Sequence, residues 1–443
     1  MASPVTPPRG MRDILPADKA HREHVLGLIR DVYRAHGFDE IETPVMEDSS
    51  RLHAGLGGDN EKLAYAVMKR GLTFDDLQRA SQPLELADLG LRFDLTVPLA
   101  RFYASNRAKL PAVFRSIQIA PVWRAERPQK GRYRQFVQCD IDIIGEPGVL
   151  AEIELITATS EALDALGLPG CRIRLNDRRL LTSMLDALGF APDAHGAVLI
   201  TLDKLDKIGT TGVVAELAER GMPATAIAAL QAVPAFAGFG ASGDPGSEPT
   251  EPTAITGLPA LTAETITAAL PAGVDPEAVA DLAAIAAAVG PGARLDFDPF
   301  LVRGMGYYTG PIFEVAHPEL GYSLGGGGRY DGMIGRFLGA EVPATGFSLG
   351  FERLIDLVAP GAMQGQGDAA LLHERDADPV RLMALKSLLV EQGARVRLVA
   401  RPKNLRGALD QLAADGFGRF AVVGADAPAH PDELDWRPLE RGA

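Results

Sequence analysis

Cysteine is nearly missing from this chain: Cys139 and Cys171 are the two among 443 residues. Two are too few for a disulfide scaffold or a cysteine-rich zinc site, and such sparing use fits a reducing compartment. Long apolar runs are missing as well, since no stretch approaches the ~18 residues that a membrane-spanning helix needs. The opening MASPVTPPRG lacks the apolar core of a secretory leader. These absences predict a soluble, cytoplasmic protein with no membrane partner. Positive charge is not in excess either: 44 Lys and Arg stand against 58 Asp and Glu, a net −14. A generic basic coat for nucleic acid, which gains affinity by neutralising phosphates wholesale, is thereby excluded, so any polyanion contact must be local. Histidine is scattered, and around the close pair His21 and His24 no carboxylate or cysteine completes a metal set, so the pair predicts helix surface and no metal site.

What is present is ample apolar material, 47% of residues, in a length that allows about three domains. The local exception to the acidic balance is VWRAERPQKGRYRQFVQ, Val122 to Gln138. Arg124, Arg127, Lys130, Arg132 and Arg134 crowd one short stretch, with Pro128 and Gly131 to bend it. The flanks FRSIQIAPVW and QFVQCDIDII are rich in β-branched and aromatic residues, which predicts an antiparallel hairpin tipped by a basic, phosphate-seeking loop. A solvated charge cluster is the plain alternative.

Along the chain, RGMRDILP predicts a turn, followed by a helix with Val25, Leu28, Ile29 and Val32 at helical spacing and a stop at Gly37. FDEIETPV predicts a strand ended by Pro44, at an edge or interface because proline denies the ladder a donor. LAYAVMKRGLTF has no clear period and a strand pair is left open there. LRFDLTVPLA, Leu91 to Ala100, alternates and predicts a return to the sheet, carrying Asp94 close to Thr96. Leu150 to Leu166 predicts a helix stopped by Gly167, and CRIRLN a strand with Ile173 and Leu175 inward. From about Asp177 to Gly290 the composition shifts to alanine-rich helical stretches around a low-complexity patch, Gly238 to Pro252, which predicts an inserted helical module with a mobile loop. β character returns at Leu295.

Three glycine-rich stretches follow, FLVRGMGYYTGPIFEV, YSLGGGGRYD and ATGFSLGFERL, with Arg303, Arg329 and Arg353 among their glycines. Bare backbone lets a ligand approach closely and arginine supplies fixed charge. GGGGRY lacks the Lys-Ser/Thr ending of a P-loop, and no G-x-G-x-x-G leads from a strand into a helix. After a linker, Pro360 to Ala369, helices and strands alternate, which predicts a small parallel sheet covered by helices. Its Arg395, Arg397, Arg401, Lys403, Arg406 and Arg419 form either a solvated face or a polyanion-docking surface.

RGMRDILP, the strand ending in Pro44, LRFDLTVP, WRAERPQKGRYRQFVQ, LVRGMGYYTG, GGGGRYDGM and GFSLGFERL occur in that order. The set resembles the histidyl-tRNA synthetases, members of the class II aminoacyl-tRNA synthetases, over nearly the whole chain. LVRGMGYY and GGGGRYD narrow the resemblance from class II to the histidine enzymes. It implies an α+β catalytic domain with an antiparallel sheet flanked by helices (residues 1–176 and 293–358), a helical insertion (177–292), a C-terminal α/β anticodon-binding domain (368–443) and a homodimer built partly through the Pro44 region. The implied activity is ATP-dependent ligation of L-histidine to tRNA(His) through histidyl-adenylate, with Mg²⁺ on the ATP phosphates. The regulatory subunit of ATP phosphoribosyltransferase, a non-catalytic paralogue, is the alternative; the complete RPQKGRYRQF loop and the terminal α/β unit weigh against it.

By the same resemblance, Arg124 and Arg303 would be catalytic, holding the α-phosphate from two sides. Arg124, Glu126 and Arg353 would bind ATP. Asp94, Thr96 and Gln138 would hold the α-amino group of histidine, Asp142 and Tyr308 would read the two imidazole nitrogens, and Arg303 and Tyr307 would complete that pocket. Arg127, Gln129, Lys130, Arg132 and Arg134 would meet the tRNA. Two positions depart from the common family pattern: Gly306, where an acid is usual, and Asp94, where Glu is usual.

Overall fold

A computed structural model describes residues 5–53, 62–129, 131–238, 261–303, 307–359 and 368–439. They fall into two compact units, Met1–Arg12 with Leu26–Val358, and Asp13–Val25 with Ala359–Ala443. The segment Asp13–Val25 therefore groups with the C-terminal residues, although it lies within the N-terminal stretch expected to be catalytic.

The larger unit is organised by an eight-stranded sheet. Its strands are β1 (Asp39–Glu40), β5 (Phe114–Trp123), β6 (Gln135–Ile144), β7 (Arg172–Asp177), β8 (Leu295–Phe297), β9 (Pro311–Ala316), β10 (Gly325–Arg329) and β11 (Ala344–Gly350). They are ordered β1-β5-β6-β11-β10-β9-β7-β8. Every internal pairing is antiparallel, while β1 on β5 and β8 on β7 are parallel at the two edges. The expected hairpin is β5 and β6, paired over their full lengths from Phe114 opposite Ile144 to Trp123 opposite Gln135.

Alternation along β6 sorts its residues by chemistry, because successive side chains of a strand point to opposite faces. Cys139, Ile141 and Ile143 are fully buried on one face. Gln138, Asp140 and Asp142 share the other, and they are buried too. Burying each aliphatic side chain is worth about 1.5–3 kcal/mol, whereas a buried carboxylate is costly unless it is paired. The apolar face holds the strand in place, and the polar face is what it positions.

The helix Thr96–Asn106 buries Val97, Leu99, Ala100 and Tyr103 in a core shared with Phe114, Ile144, Met333 and Ile334. This corrects the strand expected over Leu91 to Ala100. The alternation there is cut by Asp94, whose Oδ1 accepts from the Val97 amide at 3.2 Å and so satisfies a donor of the first helical turn. Pro98 falls in that same turn, where its missing N–H is not needed. Leu91 ends a strand of a separate three-stranded sheet, β2 (Met46–Asp48), β3 (Tyr65–Met68) and β4 (Ala87–Leu91), ordered β2-β4-β3.

Two further expectations change in this region. The strand ended by Pro44 is reduced to the two residues of β1; Thr43 and Pro44 lie beyond it, and Arg92 Nη1 donates to the Thr43 carbonyl at 2.8 Å. The first half of LAYAVMKRGLTF is β3, but its end leads into a helix, Phe74–Arg79, opened by a capping box between Thr73 and Asp76.

Between Arg178 and Val289 the described elements are all helices joined by short turns, and they belong to the same unit as the sheet. Positions 239–252 of the low-complexity patch lie outside the described residues. In the smaller unit, β12 (Ala369–His373), β13 (Val396–Ala400), β14 (Arg419–Val423) and β15 (Arg437–Pro438) form a sheet ordered β13-β12-β14-β15. The first three are parallel, as expected, and β15 is antiparallel. The central strand β12 begins where a linker was expected to end. AALLH has no β-branched residue to mark it, and Ala369 to Leu372 become fully buried only through pairing on both sides.

Candidate active site

Strand register assembles a row that no local motif contains. Directly opposed residues run from Gln118 on β5 to Asp140 on β6, Ser348 on β11, Gly326 on β10, Glu314 on β9 and Arg174 on β7. Opposed residues project from the same face, so this row is a floor. Above it lies a cavity of about 860 Å³, lined among others by Asp140, Ser348, Gly326 and Glu314.

Three guanidinium groups enter that cavity from different elements. Arg124, at the end of β5, donates from Nε to the Phe93 carbonyl at 2.9 Å and lies 5.0 Å above the centroid of the Phe136 ring. Arg353, in the helix Phe351–Ile355, donates to the carbonyls of Gly131 at 3.0 Å and Ser323 at 2.5 Å. Arg303 forms an ion pair with Glu314, and its Nη1 stands 3.4 Å from Ser323 Oγ. Glycine on β10 makes room for it, since a Cβ added at Gly326 would come 2.6 Å from Arg303 Cζ.

Glu314 also accepts from Arg174, at 3.1 Å. Arg174 is buried and donates as well to Asp298 at 2.7 Å and Asp206 at 3.2 Å. Burial works against its charge, but Asp298, Asp206 and Glu314 outweigh burial and hold its pKa above the ordinary value. Asp206 lies in the helix Leu205–Glu219, so this hub ties a helix of the inserted segment to the ion pair of Arg303.

The other wall is acidic and aromatic. Asp94, Thr96, Gln138, Tyr307 and Tyr308 line the cavity, the two tyrosine rings 4.4 Å apart. Glu126, Arg127, Gln129 and Arg132 line it from the loop, with Arg132 paired to Glu126 at 3.3 Å. Twelve of the residues expected from the sequence thus meet around one space: these nine and the three arginines.

The remaining three stand differently. Asp142 is not on the cavity lining; its Oδ1 accepts a 2.6 Å hydrogen bond from the Tyr330 hydroxyl. It sits over Gly346, where a Cβ would come within 2.0 Å of Oδ1. Burial raises its pKa to about 7, the Tyr330 bond opposes the rise and Asp94 adds to it. Arg134 does not line the cavity either. It braces the loop, donating to the main-chain oxygens of Glu126 at 3.0 Å and Arg9 at 3.4 Å. Lys130 lies outside the described residues, as do Gly304 and Gly306.

Sequence reasoning missed Asp140, Glu314 and Ser348. The signal for Asp140 was the alternation of QFVQCDIDII, which puts it on the face of Gln138 and Asp142; Glu314 and Ser348 needed the register. Among the described residues no group of three or more His, Cys, Asp or Glu could hold a metal ion.

In the C-terminal unit, ion pairs join Arg395 to Asp368, Arg397 to Asp415 and Arg401 to Glu374. Arg419 lies 4.3 Å over the Trp436 ring. Much of that basic group is therefore matched within the unit.

Comparison with known proteins shows the family. A family model described as histidyl-tRNA synthetase matches residues 10–354. A protein of Leifsonia xyli named histidine–tRNA ligase is 61% identical over 99% of this chain and 99% of its own length. One from Tropheryma whipplei, named probable histidine–tRNA ligase, is 45% identical over 97% of this chain and 98% of its own. A crystal structure of histidyl-tRNA synthetase from Nostoc sp. PCC 7120 superposes with a TM-score of 0.71 at 25% identity, covering 96% of this chain and 93% of that one. A Bacillus halodurans structure described as an ATP phosphoribosyltransferase regulatory subunit/histidyl-tRNA synthetase also reaches 0.71, at 19% identity over 95% and 99% of the two chains, a likeness of fold alone.

Proposed function

The chain belongs to the histidyl-tRNA synthetase family, and on that premise we propose that it activates L-histidine with ATP and transfers it to tRNA(His). The observation that carries this reading is one cavity in which Arg124, Arg303 and Arg353 face an acidic, tyrosine-lined wall. It suits a phosphate donor and an ammonium-bearing amino acid side by side.

In the first step a carboxylate oxygen of histidine attacks the α-phosphorus of ATP. The bond from that phosphorus to the oxygen bridging to the β-phosphate breaks, leaving histidyl-adenylate and pyrophosphate. Charge on the phosphoryl oxygens must be met by groups already in place, so positioning and electrostatics do most of the work. Arg124 and Arg303 would take the α-phosphate from two sides. Each guanidinium is held by the protein, Arg124 through the Phe93 carbonyl and Arg303 through Glu314. Arg353 would meet the far phosphates and Glu126 the adenosine, with the Phe136 ring offering a flat face to the purine. Mg²⁺ would arrive with ATP as part of the substrate and offset phosphate charge.

Histidine would place its α-ammonium among Asp94, Thr96 and Gln138. Tyr308 and Asp142 would read the ring nitrogens, with Arg303 and Tyr307 completing the pocket. For Asp142 to reach an imidazole it would work from behind the lining, and a raised pKa suits a group that shares a proton with the ring. A pocket that bonds both nitrogens rejects aliphatic amino acids by leaving buried polar groups unpaired, on the order of 10⁴-fold.

In the second step a hydroxyl of the terminal ribose of tRNA attacks the adenylate carbonyl and AMP leaves. Arg127, Gln129 and Arg132, all exposed, with Lys130 would meet the acceptor end, and the C-terminal domain would meet the anticodon. A cytoplasmic homodimer completes the reading. Its interface would include Val45, Met46, Met68, Phe74 and Leu84, large apolar side chains exposed on the segment around the three-stranded sheet. Among the described residues no helix is long and apolar enough to cross a membrane.

Histidine-dependent exchange of pyrophosphate into ATP, followed by charging of tRNA(His), tests the function. Folded protein that shows neither would point to the regulatory paralogue instead.

A further inference from the structure

Three side chains on the cavity floor form a directional hydrogen-bond relay that the roles above leave unused. Gln138 Nε2 donates to Ser348 Oγ at 2.9 Å and stands 3.4 Å from each carboxylate oxygen of Asp140. Ser348, the direct cross-strand neighbour of Asp140, bonds that carboxyl in turn. Asp140 and Gln138 are 4% and 8% exposed, and Gln138 Oε1 is buried without a donor.

The chemistry of the groups sets the direction. A carboxylate only accepts, a hydroxyl that receives a proton from an amide has its own left to give, and an amide has one donor end and one acceptor end. Nε2 is the end of the Gln138 amide that faces both Ser348 Oγ and the Asp140 oxygens, so the chain runs from the Gln138 amide through Ser348 to Asp140. If the amide turned over, its carbonyl would face the carboxylate, acceptor against acceptor. The acceptor end is thus kept on the side away from Asp140, where a buried carbonyl oxygen without a donor is unfavourable until a ligand supplies one.

Resting on the reading of this cavity as an amino-acid site, we propose that Asp140, acting through Ser348, is a positioning residue that locks the Gln138 carbonyl toward the substrate ammonium and so selects for a free α-amino group. The surrounding charges agree. Burial and Asp142 push the Asp140 carboxyl up, Ser348 opposes, Asp94 adds to the rise and Arg124 pulls the other way. A crowd of carboxyl groups with so little cationic relief is one that an arriving ammonium stabilises.

The substitution Asp140→Asn keeps the shape but adds a donor, so the Gln138 amide can turn over and present its NH₂ to the ammonium. Ser348→Ala breaks the relay without touching the charge. Both are compared with the parent full-length protein in histidine-dependent pyrophosphate exchange. The expected result for Asp140→Asn is a rise of about tenfold or more in the KM for histidine, since a mispaired buried polar group is costly. The KM for ATP should stay within about twofold, because none of the three relay residues is among those assigned to the nucleotide. The decisive readout is inhibition by 3-(imidazol-4-yl)propionate, which is histidine without its ammonium. Its inhibition constant should also stay within about twofold, while Ser348→Ala raises the histidine KM by about threefold or more. An unchanged histidine KM in either variant, or equal weakening of histidine, the analogue and ATP, overturns the proposal. If Asp140→Asn does not fold, Ser348→Ala decides alone. Loss of exchange in the parent protein would instead overturn the assigned function.

Discussion

Gly326 lies directly beneath Arg303, so close that a β-carbon there would come 2.6 Å from Cζ of the guanidinium and 2.6 Å from the Phe313 carbonyl oxygen. The glycine of GGGGRY is thus tied to the arginine of LVRGMGYY by space rather than by a bond. Gly326→Ala should displace Arg303 and, locally, the β9 backbone at Phe313. A misplacement on the order of 1 Å in a catalytic group can cost about 10²-fold, and a loss of that size is expected in the rate of pyrophosphate exchange. Circular dichroism should remain that of the parent. Exchange at the parent rate would remove Arg303 from the chemistry.

Tyr330 and Asp142 make a pH-dependent pair. With its carboxyl raised to about 7, Asp142 is charged above that pH and loses its charge as pH falls through it. The Tyr330 hydrogen bond favours the charged form, so Tyr330→Phe should move this loss to higher pH. The KM for histidine should then begin its acid-side rise at a higher pH in the variant, with about a several-fold increase at neutral pH. The imidazole of the substrate titrates identically in both proteins, so the difference between the two profiles isolates the residue. Superimposable profiles would show that Asp142 does not read the substrate.

Arg174 should matter for stability more than any exposed ion pair. It is buried against Asp298, which is 1% exposed, and against Glu314. Arg174→Met would leave the buried Asp298 without its cation and Glu314 with Arg303 alone of its two, and removing one partner of a buried pair typically costs about 3–5 kcal/mol. Urea unfolding should register that loss. Exchange activity should fall too, because the carboxylate that holds Arg303 would lose its second cation. A change in stability below about 1 kcal/mol would place Arg174 among ordinary surface pairs.

The basic loop divides by exposure. Arg127→Ala, at an exposed position, should slow transfer to tRNA by about tenfold while exchange stays within about twofold, because phosphate contacts orient the nucleic acid without touching the first step. Arg134→Ala should impair both half-reactions, since Arg134 braces the Glu126 and Arg9 carbonyls. Single-turnover transfer from preformed adenylate, set beside exchange, separates the two; equal profiles for the variants would refute the division.

Much of the site was legible because its motifs are local. The loop from Arg124 to Arg134 had to be a hairpin tip, since alternating flanks on both sides left it nowhere else to go. Glycines beside arginines in LVRGMGYY and GGGGRYD marked backbone that lets charge come close. The helix at Thr96 was misread because the alternation of Leu91, Phe93, Leu95 and Val97 looks like a strand until Asp94 is seen accepting from the Val97 amide. The buried strand Ala369–His373 was passed over because alanine and leucine carry no strand preference of their own.

By itself, the sequence determined the two-cysteine, acidic character, the family, the hairpin, the helical stretch between β7 and β8 and the α/β terminus, because these depend on composition and on patterns a few residues long. Tertiary structure alone decided which residues share the floor. Asp140, Ser348, Gly326, Glu314 and Arg174 come from five strands spread between residues 135 and 350, and only hydrogen-bonded register puts them in one row. It also decided that Asp142 sits behind the lining on Tyr330 and that Arg134 bonds the Glu126 and Arg9 carbonyls. A strand's side chains alternate by rule, but which strand lies beside it, and at what offset, is set by the packing of the whole sheet.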